Sequence, residues 1–142
     1  MAVRTARAEW NGSLSDGRGT VALGSGAFEG AYSFASRFEE GTGTNPEELL
    51  GAAHAGCFSM ALAAALGRAG FSPQRVSTQA KVHLIKAADG FAISAIDLET
   101  EARVPGIDPA KFQEIADGAK KGCPVSKALA ATEIRLDARL AG

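Results

Sequence analysis

The side chains best suited to chemistry in this sequence are two cysteine thiols, Cys57 and Cys123. Cys57 lies within a long apolar segment that predicts a helix, and Cys123 lies between Gly122 and Pro124, where helical segments break. The thiolate is the reactive form of either residue, and a helix interior and a helix start affect it differently. This contrast suggests a redox pair in which one sulfur reacts and the other resolves.

Each cysteine also has a plainer interpretation. Cys57 alone reads as a small buried hydrophobe, and the two thiols could instead form a permanent structural disulfide. Metal binding is a further alternative, since His54 and Cys57 form an i, i+3 pair on one helical face. A structural zinc site needs four ligands, and beyond Cys123 the remaining strong candidate is His83. We therefore expect no metal, and we interpret His54 as a packed or hydrogen-bonded core histidine.

The composition predicts a single, nearly neutral domain of 142 residues, with 15 basic and 16 acidic side chains. These charges are interspersed, so we expect no nucleic-acid partner. The most apolar stretch, residues 49–66, contains His54, Cys57 and Ser59, and it predicts a helix buried in protein rather than a membrane span. No apolar segment follows the charged N-terminus, so we expect no secretory signal and a cytoplasmic location.

The first part of the chain predicts β-strands, at about residues 2–35. Apolar and polar residues alternate loosely there, with turn signals at Asn11-Gly12 and Asp16-Gly17. The last of these strands is expected to reach Ala35. Residues 36–44 read as a loop because of their glycines.

A long central helix is predicted at about residues 46–69. Asn45 is a good N-cap, Pro46 suits the first helical position, and Glu48 has the spacing of a capping box. Gly70 is the expected stop. The helix is apolar nearly all round, which predicts burial on several sides.

The remainder, about residues 75–140, predicts a hairpin followed by C-terminal helices and a strand. Alternating apolar residues on both sides of Asp89-Gly90 indicate the hairpin. Asp108 caps a second helix that stops at Gly122, and Cys123-Pro124 begins a short further helix. The predicted class is α+β with antiparallel strand pairing.

Five sequence segments together resemble the OsmC/Ohr family, and its OsmC branch in particular. They are long strings at ordered spacing, and the resemblance covers essentially the whole chain. The segments are RFE at 37–39, TNPEEL at 44–49, AAHAGCFSM at 52–60, VPGID at 104–108 and GCPVS at 122–126.

The resemblance implies a cysteine-based, cofactor-free peroxidase that acts on organic hydroperoxides and more weakly on hydrogen peroxide. It implies an intertwined homodimer in which antiparallel sheets wrap around central helices. Cys57 becomes the reacting thiol and Cys123 the resolving thiol, with Arg37 and Glu47 as further catalytic residues. In the Ohr branch the arginine comes from an earlier loop, a place that Arg18 could fill here. The family also suggests a dithiol reductant such as a lipoylated protein.

Elementary chemistry explains why such a site needs a cation. Cys57 lies about three turns into its helix, too deep to gain from the N-terminal dipole, and burial disfavours a thiolate. Arg37 stays charged, so it can stabilise both the thiolate and a departing alkoxide. A buried arginine needs a partner, which gives Glu47 a role. The plainer interpretation of Glu47 is a carboxylate that favours the helix dipole.

Helix geometry also bears on the assembly. Glu47 and Cys57 are ten positions apart on one predicted helix, which corresponds to about 15 Å along its axis. If both serve one site, an antiparallel copy of the helix is the simplest solution. We therefore hypothesise that Glu47 reaches the Cys57 of the other subunit.

Two other functions compete with the peroxidase. A general thiol–disulfide oxidoreductase is disfavoured because the sequence contains no Cys-x-x-Cys motif. The other is a non-enzymatic protein that binds an apolar ligand and whose thiols sense oxidation. Phe38, Phe58 and Met60 could line an apolar pocket in either an enzyme or a binding protein, or they could simply pack in the core or a dimer interface.

Overall fold

The computed structural model describes all 142 residues, and it divides the chain into two compact units, residues 1–49 and 50–142. Each unit contains one three-stranded sheet. The boundary falls near the start of the longest helix. The expectation of one domain over residues 1–142 stays a prediction.

The first unit contains an antiparallel sheet in the order β1-β2-β3 and a short helix, α1. Its last strand ends before the predicted Ala35, and a helix replaces part of the predicted loop. The reason is a capping box, in which the Ser33 hydroxyl accepts from the Ser36 amide and the Ser36 hydroxyl from the Ser33 amide. The elements are β1 (Ala6–Asn11), β2 (Arg18–Leu23), β3 (Glu29–Tyr32) and α1 (Phe34–Phe38).

Helix α2 (Pro46–Arg68) begins and ends where the sequence predicts. The Asn45 side chain accepts a 2.7 Å hydrogen bond from the Glu48 amide and so caps the helix. At the other end Gly70 has a φ of 91°, and its amide donates to the Gly67 carbonyl at 3.0 Å. The next amide, of Phe71, donates to the Leu66 carbonyl at 2.9 Å. These two bonds form a Schellman motif, in which a residue with a side chain would be strained.

The second unit contains the predicted hairpin, two helices and a closing strand. One pairing differs from the antiparallel prediction, because β6 runs parallel to β5. The chain leaves β5, crosses through the two helices and returns in the same direction, as a parallel pair requires. The elements are β4 (Arg75–Ala87), β5 (Gly90–Arg103), α3 (Pro109–Gly122), α4 (Pro124–Ala128) and β6 (Glu133–Leu140).

Both α2 and α3 are held on the sheet of this unit. On α2, Gly51 approaches β4 so closely that an added Cβ would lie 3.4 Å from the Val82 side chain. On α3, the Gln113 side chain donates to the Ala138 carbonyl of β6 at 2.7 Å. The core between them includes Phe58, Leu62, Leu66, Ile96, Leu98, Phe112 and Cys123.

In the single chain α2 buries one face rather than several. Its buried residues follow helical spacing through His54, Phe58 and Leu62, while Met60 is 76% exposed. The helix is long and apolar enough to cross a membrane, a property that core helices of other proteins share. Only 28% of its most apolar window is buried. The small apolar residues on the opposite face are therefore open to a partner helix.

The Schellman motif provides a test of the fold. Replacing Gly70 with alanine should lower the free energy of unfolding by about 1 kcal/mol, because alanine is strained at positive φ. Gly67→Ala is the matched control, since Gly67 is helical and an added Cβ there meets nothing within 4 Å. It should raise stability by about 0.5–1 kcal/mol. Urea unfolding monitored by circular dichroism measures the free energy of unfolding of both variants. Equal changes in Gly70→Ala and Gly67→Ala would contradict the Schellman motif.

Candidate active site

Arg37 and Glu47 form a two-pronged ion pair in the first unit. Arg37 Nε donates to Glu47 Oε1 at 3.1 Å, and Nη2 donates to Oε2 at 2.9 Å. The Glu47 side chain is 10% exposed and that of Arg37 is 35% exposed. Such a pairing fixes the plane of the guanidinium as well as its position.

Local structure explains why these two side chains meet. Arg37 lies in the last turn of α1, which the serine capping box starts, and Glu47 lies in the first turn of α2. The guanidinium also stands 5.3 Å from the centre of the Phe38 ring. Arg18, the alternative arginine, begins β2 and makes no ion pair. The geometry of this unit therefore favours Arg37 as the positioned cation.

Cys57 and Cys123 meet in the second unit. Cys57 is half-buried on α2, and Cys123 is fully buried where α3 ends and α4 begins. Both are free thiols, and each lies close enough to the other to shift its pKa. The fold thus brings together two cysteines that are far apart in the chain.

The surroundings shift the pKa values of the two thiols in opposite directions. Burial raises the pKa of Cys57, the hydrogen bond to Cys123 raises it further, and the Val125 amide lowers it. Burial also acts to raise the pKa of Cys123, but hydrogen bonds from Cys57, Ser126 and Val125 outweigh it and lower the pKa. Within this unit the surroundings therefore disfavour the thiolate at Cys57 and favour it at Cys123.

Cys123 occupies the N-cap position of α4, as the sequence predicts. Its side chain makes no cap hydrogen bond of full geometry, yet the Val125 and Ser126 amides still lower its pKa. Pro124 at the first helical position has no amide hydrogen, so the next two amides are the ones that face the sulfur. The helix start thereby stabilises negative charge on Cys123.

The structure adds a polar contact that the sequence did not reveal. His54 is fully buried, and its Nε2 lies 2.7 Å from the Ser126 hydroxyl oxygen. The expectation of a hydrogen-bonded core histidine is met, but its partner is the serine of the GCPVS segment. Only long-range packing pairs these two residues, so spacing along the chain gave no signal.

The remaining predicted residues lie elsewhere. His83 is on β4, where its Nε2 is 2.6 Å from Asp97 Oδ2 on the exposed sheet face. No group of three or more metal-binding side chains is gathered in the structure. Phe58 is a core residue with no exposure, Met60 lies on the open face of α2, and Phe38 stacks on Phe34 with ring centres 4.9 Å apart.

Comparison with known proteins identifies the family. A sequence model described as OsmC-like protein matches residues 39–138. The chain belongs to this family. Peroxiredoxin OsmC of Escherichia coli strain K12 is 53% identical over 135 residues, which is 94% of either protein. An organic hydroperoxide resistance protein of Xanthomonas axonopodis pv. citri is 37% identical over 89 residues, 62% of this chain and 61% of that protein.

Solved structures agree on the fold. An OsmC-like protein from Mycoplasma pneumoniae superposes with a TM-score of 0.78, at 18% identity and covering 99% of each chain. The family resemblance and the α+β class predicted from the sequence are confirmed. The higher identity to OsmC than to the organic hydroperoxide resistance protein agrees with the OsmC branch.

The hydrogen bond between the thiols makes a testable prediction about this OsmC-like site. Cys57→Ala should raise the pKa of Cys123, because the thiolate loses a donor. Cys123→Ala should lower the pKa of Cys57, because the contact that raised it is gone. Thiolate ultraviolet absorbance measured against pH in each single-cysteine chain gives both values. Shifts in the opposite directions would show that the thiols do not share a proton as described.

Proposed function

We propose that this protein is a cofactor-free thiol peroxidase that reduces organic hydroperoxides to alcohols and acts more weakly on hydrogen peroxide. One observation carries the proposal. Two free thiols on different elements lie near enough to shift each other's pKa, in a chain that is 53% identical to a protein named peroxiredoxin OsmC. A general thiol–disulfide oxidoreductase and a redox-sensing or apolar-ligand-binding protein remain the alternatives that the experiments below distinguish.

In the first step the Cys57 thiolate attacks the outer oxygen of the hydroperoxide. The O–O bond breaks, the sulfur is oxidised to a sulfenic acid, and the alkoxide takes up a proton to leave as an alcohol. Burial raises the pKa of Cys57, so a cation must favour its ionisation. We assign this role to Arg37, held in plane by Glu47. The same guanidinium stabilises charge on the departing alkoxide.

In the second step Cys123 resolves the oxidised residue. Its thiolate attacks the Cys57 sulfur, the S–O bond breaks, and the oxygen leaves as hydroxide and becomes water on protonation. The resulting Cys57–Cys123 disulfide protects Cys57 from overoxidation. An external dithiol, such as that of a lipoylated protein, then reduces the disulfide and is itself oxidised.

We further propose that the active form is an intertwined cytoplasmic homodimer. The exposed apolar face of α2 supports this, because it consists largely of small residues that allow a second helix to approach closely. The spacing of Glu47 and Cys57 along α2 then favours action across the dimer, with the Arg37–Glu47 pair of one subunit serving the Cys57 of the other. We expect no nucleic-acid or membrane partner.

The decisive test of the peroxidase is the intact mass of the reduced protein after one equivalent of cumene hydroperoxide. We expect a loss of two hydrogens that peptide mapping assigns to a Cys57–Cys123 disulfide. Cys123→Ser should instead gain one oxygen, as a trapped sulfenic acid or a product of its further oxidation. Cys57→Ser should show no change.

The alternatives predict other results. A protein with both thiols still free after the peroxide would support ligand binding. Rapid exchange with small disulfides without peroxide turnover would support a thiol–disulfide oxidoreductase. Turnover retained in Cys57→Ser would reject Cys57 as the nucleophile.

Mixed dimers test whether Glu47 acts across the interface. Chains carrying Cys57→Ser and chains carrying Glu47→Gln are co-expressed with different tags, and doubly tagged dimers are purified. If Glu47 serves the partner's Cys57, one complete site forms per dimer and peroxidase activity returns to about half of wild type.

Two comparisons complete this experiment. Glu48→Gln is the matched control, because Glu48 is the exposed neighbour whose carboxylate accepts from the Thr44 hydroxyl at 3.0 Å, and it should keep full activity. A mixed dimer no more active than the Glu47→Gln homodimer would mean that Glu47 acts within its own chain.

A further inference from the structure

A buried histidine and a buried serine lie beside the helix start that holds Cys123. The Ser126 hydroxyl on α4 lies 2.7 Å from His54 Nε2 on α2, and Ser126 follows Cys123 by three residues, in the first turn of the helix that Cys123 begins. His54 has no exposure and Ser126 has 6%. Ser126 therefore links His54 to this helix start, where its hydroxyl acts on the Cys123 thiol. The peroxidase steps above use neither Ser126 nor His54.

The direction of these hydrogen bonds follows from the available acceptors. Burial lowers the pKa of His54, so the imidazole is neutral and carries one proton. Its Nδ1 is buried without a hydrogen-bond partner, whereas Nε2 faces the serine oxygen. A buried donor without a partner is costly, so we assign the proton to Nε2. Nε2 then donates to Ser126, whose own proton is directed to Cys123.

We propose that His54 and Ser126 are positioning residues for Cys123, because the imidazole fixes the serine hydroxyl as a hydrogen-bond donor to the sulfur. The pair speeds the resolving step and sets the pH at which it becomes fast. This inference rests on the proposed peroxidase cycle for its purpose, but the His54–Ser126 hydrogen bond and the position of Ser126 one turn after Cys123 stand on the geometry of the second unit.

The resolving step shows where such a donor acts. Once Cys57 carries the sulfenic acid, its thiol proton can no longer be donated to Cys123. The Ser126 hydroxyl and the two α4 amides then remain to stabilise the Cys123 thiolate. The thiolate attacks Cys57 sulfur, the S–S bond forms as the S–O bond breaks, and the released hydroxide becomes water by taking a proton. A hydrogen-bond donor that is in place before the attack raises the fraction of Cys123 present as the reactive thiolate.

The surrounding groups leave this role to the serine–histidine pair. The lysines nearest in the chain are Lys120, Lys121 and Lys127. Lys121 and Lys127 are exposed, and Lys120 Nζ donates to the Ile134 carbonyl at 3.3 Å. On α2, the titratable side chains near this helix start are Cys57 and His54. If this pair were purely structural, substituting either residue would leave the pKa of Cys123 unchanged.

The experiment compares variants that remove or retain each donor. Ser126→Ala removes the hydroxyl, and Ser126→Thr keeps it. His54→Leu removes the ring donor, and His54→Gln keeps an amide donor at similar reach. The first readout is the pH titration of the Cys123 thiolate in the Cys57→Ala background, which requires no peroxidase activity. The second is the rate of disulfide formation after one equivalent of cumene hydroperoxide in chains with both cysteines, followed by rapid quenching, alkylation and mass spectrometry.

We expect Ser126→Ala and His54→Leu to raise the pKa of Cys123, with Ser126→Thr and His54→Gln close to wild type. For each tenfold loss of thiolate the resolving rate at neutral pH should fall about threefold, since a less acidic thiol is a better nucleophile. At high pH, where Cys123 is ionised in every variant, Ser126→Ala should resolve as fast as wild type or faster. The two pH profiles should therefore cross.

The outcomes separate this inference from the proposed function. An unchanged Cys123 pKa in Ser126→Ala, or a rate reduced equally at all pH values, would overturn the positioning role. If His54→Leu does not fold, the serine variants still decide it, because alanine fits a site that already holds serine. If the wild type forms neither sulfenic acid nor disulfide with the peroxide, the peroxidase proposal fails, and the thiolate titration still decides the positioning role.

Discussion

The arrangement of this protein depends on bringing two sulfurs from distant parts of the chain into contact inside a core. A disulfide requires Cβ atoms about 3.5–4.5 Å apart, so neither cysteine tolerates a large displacement of its element. Cys57 is fixed because α2 packs on the hairpin through Gly51 and Phe58. Cys123 is fixed because α3 is fastened to β6 and α4 begins directly after it. The parallel crossover from β5 to β6 is what places the α3–α4 junction within reach of α2.

Features encoded by neighbouring residues could be predicted from the sequence. The Asn45 cap, the Gly70 stop and the Asp108 cap each depend on a few adjacent positions, and each is found where expected. The hairpin around Asp89-Gly90 is of the same kind, since alternation and a turn signal suffice. The order of strand and helix signals predicted the α+β class and the five segments predicted the family, and the comparisons confirm both.

Features that depend on distant partners were missed. The direction of β6 is decided by the crossover that precedes it rather than by its own alternation, so the antiparallel prediction was wrong for that pair. Helix α1 depends on two serines, Ser33 in the predicted strand and Ser36 in the segment whose glycines indicated a loop. The pairing of His54 with Ser126 joins two segments that each matched the family, yet nothing in either segment names the other. Both side chains are polar and buried, so each needs a hydrogen-bond partner, and the fold brings the two together.

The opposite pKa shifts of the two thiols bear directly on the proposed peroxidase cycle. In the second unit alone, the surroundings favour the thiolate on Cys123 over the thiolate on Cys57. The resolving step needs a Cys123 thiolate, whereas the attack on peroxide needs a Cys57 thiolate. A peroxidase built on this unit therefore requires a cation that favours Cys57 only while peroxide is being reduced. We proposed Arg37 for this role because its charge is permanent and the ion pair with Glu47 fixes the plane of its guanidinium. After oxidation Cys57 no longer carries a charge, and the donors around Cys123 determine which sulfur reacts next. In the proposed cycle the two thiols therefore act in sequence, because a different group is assigned to stabilise each thiolate.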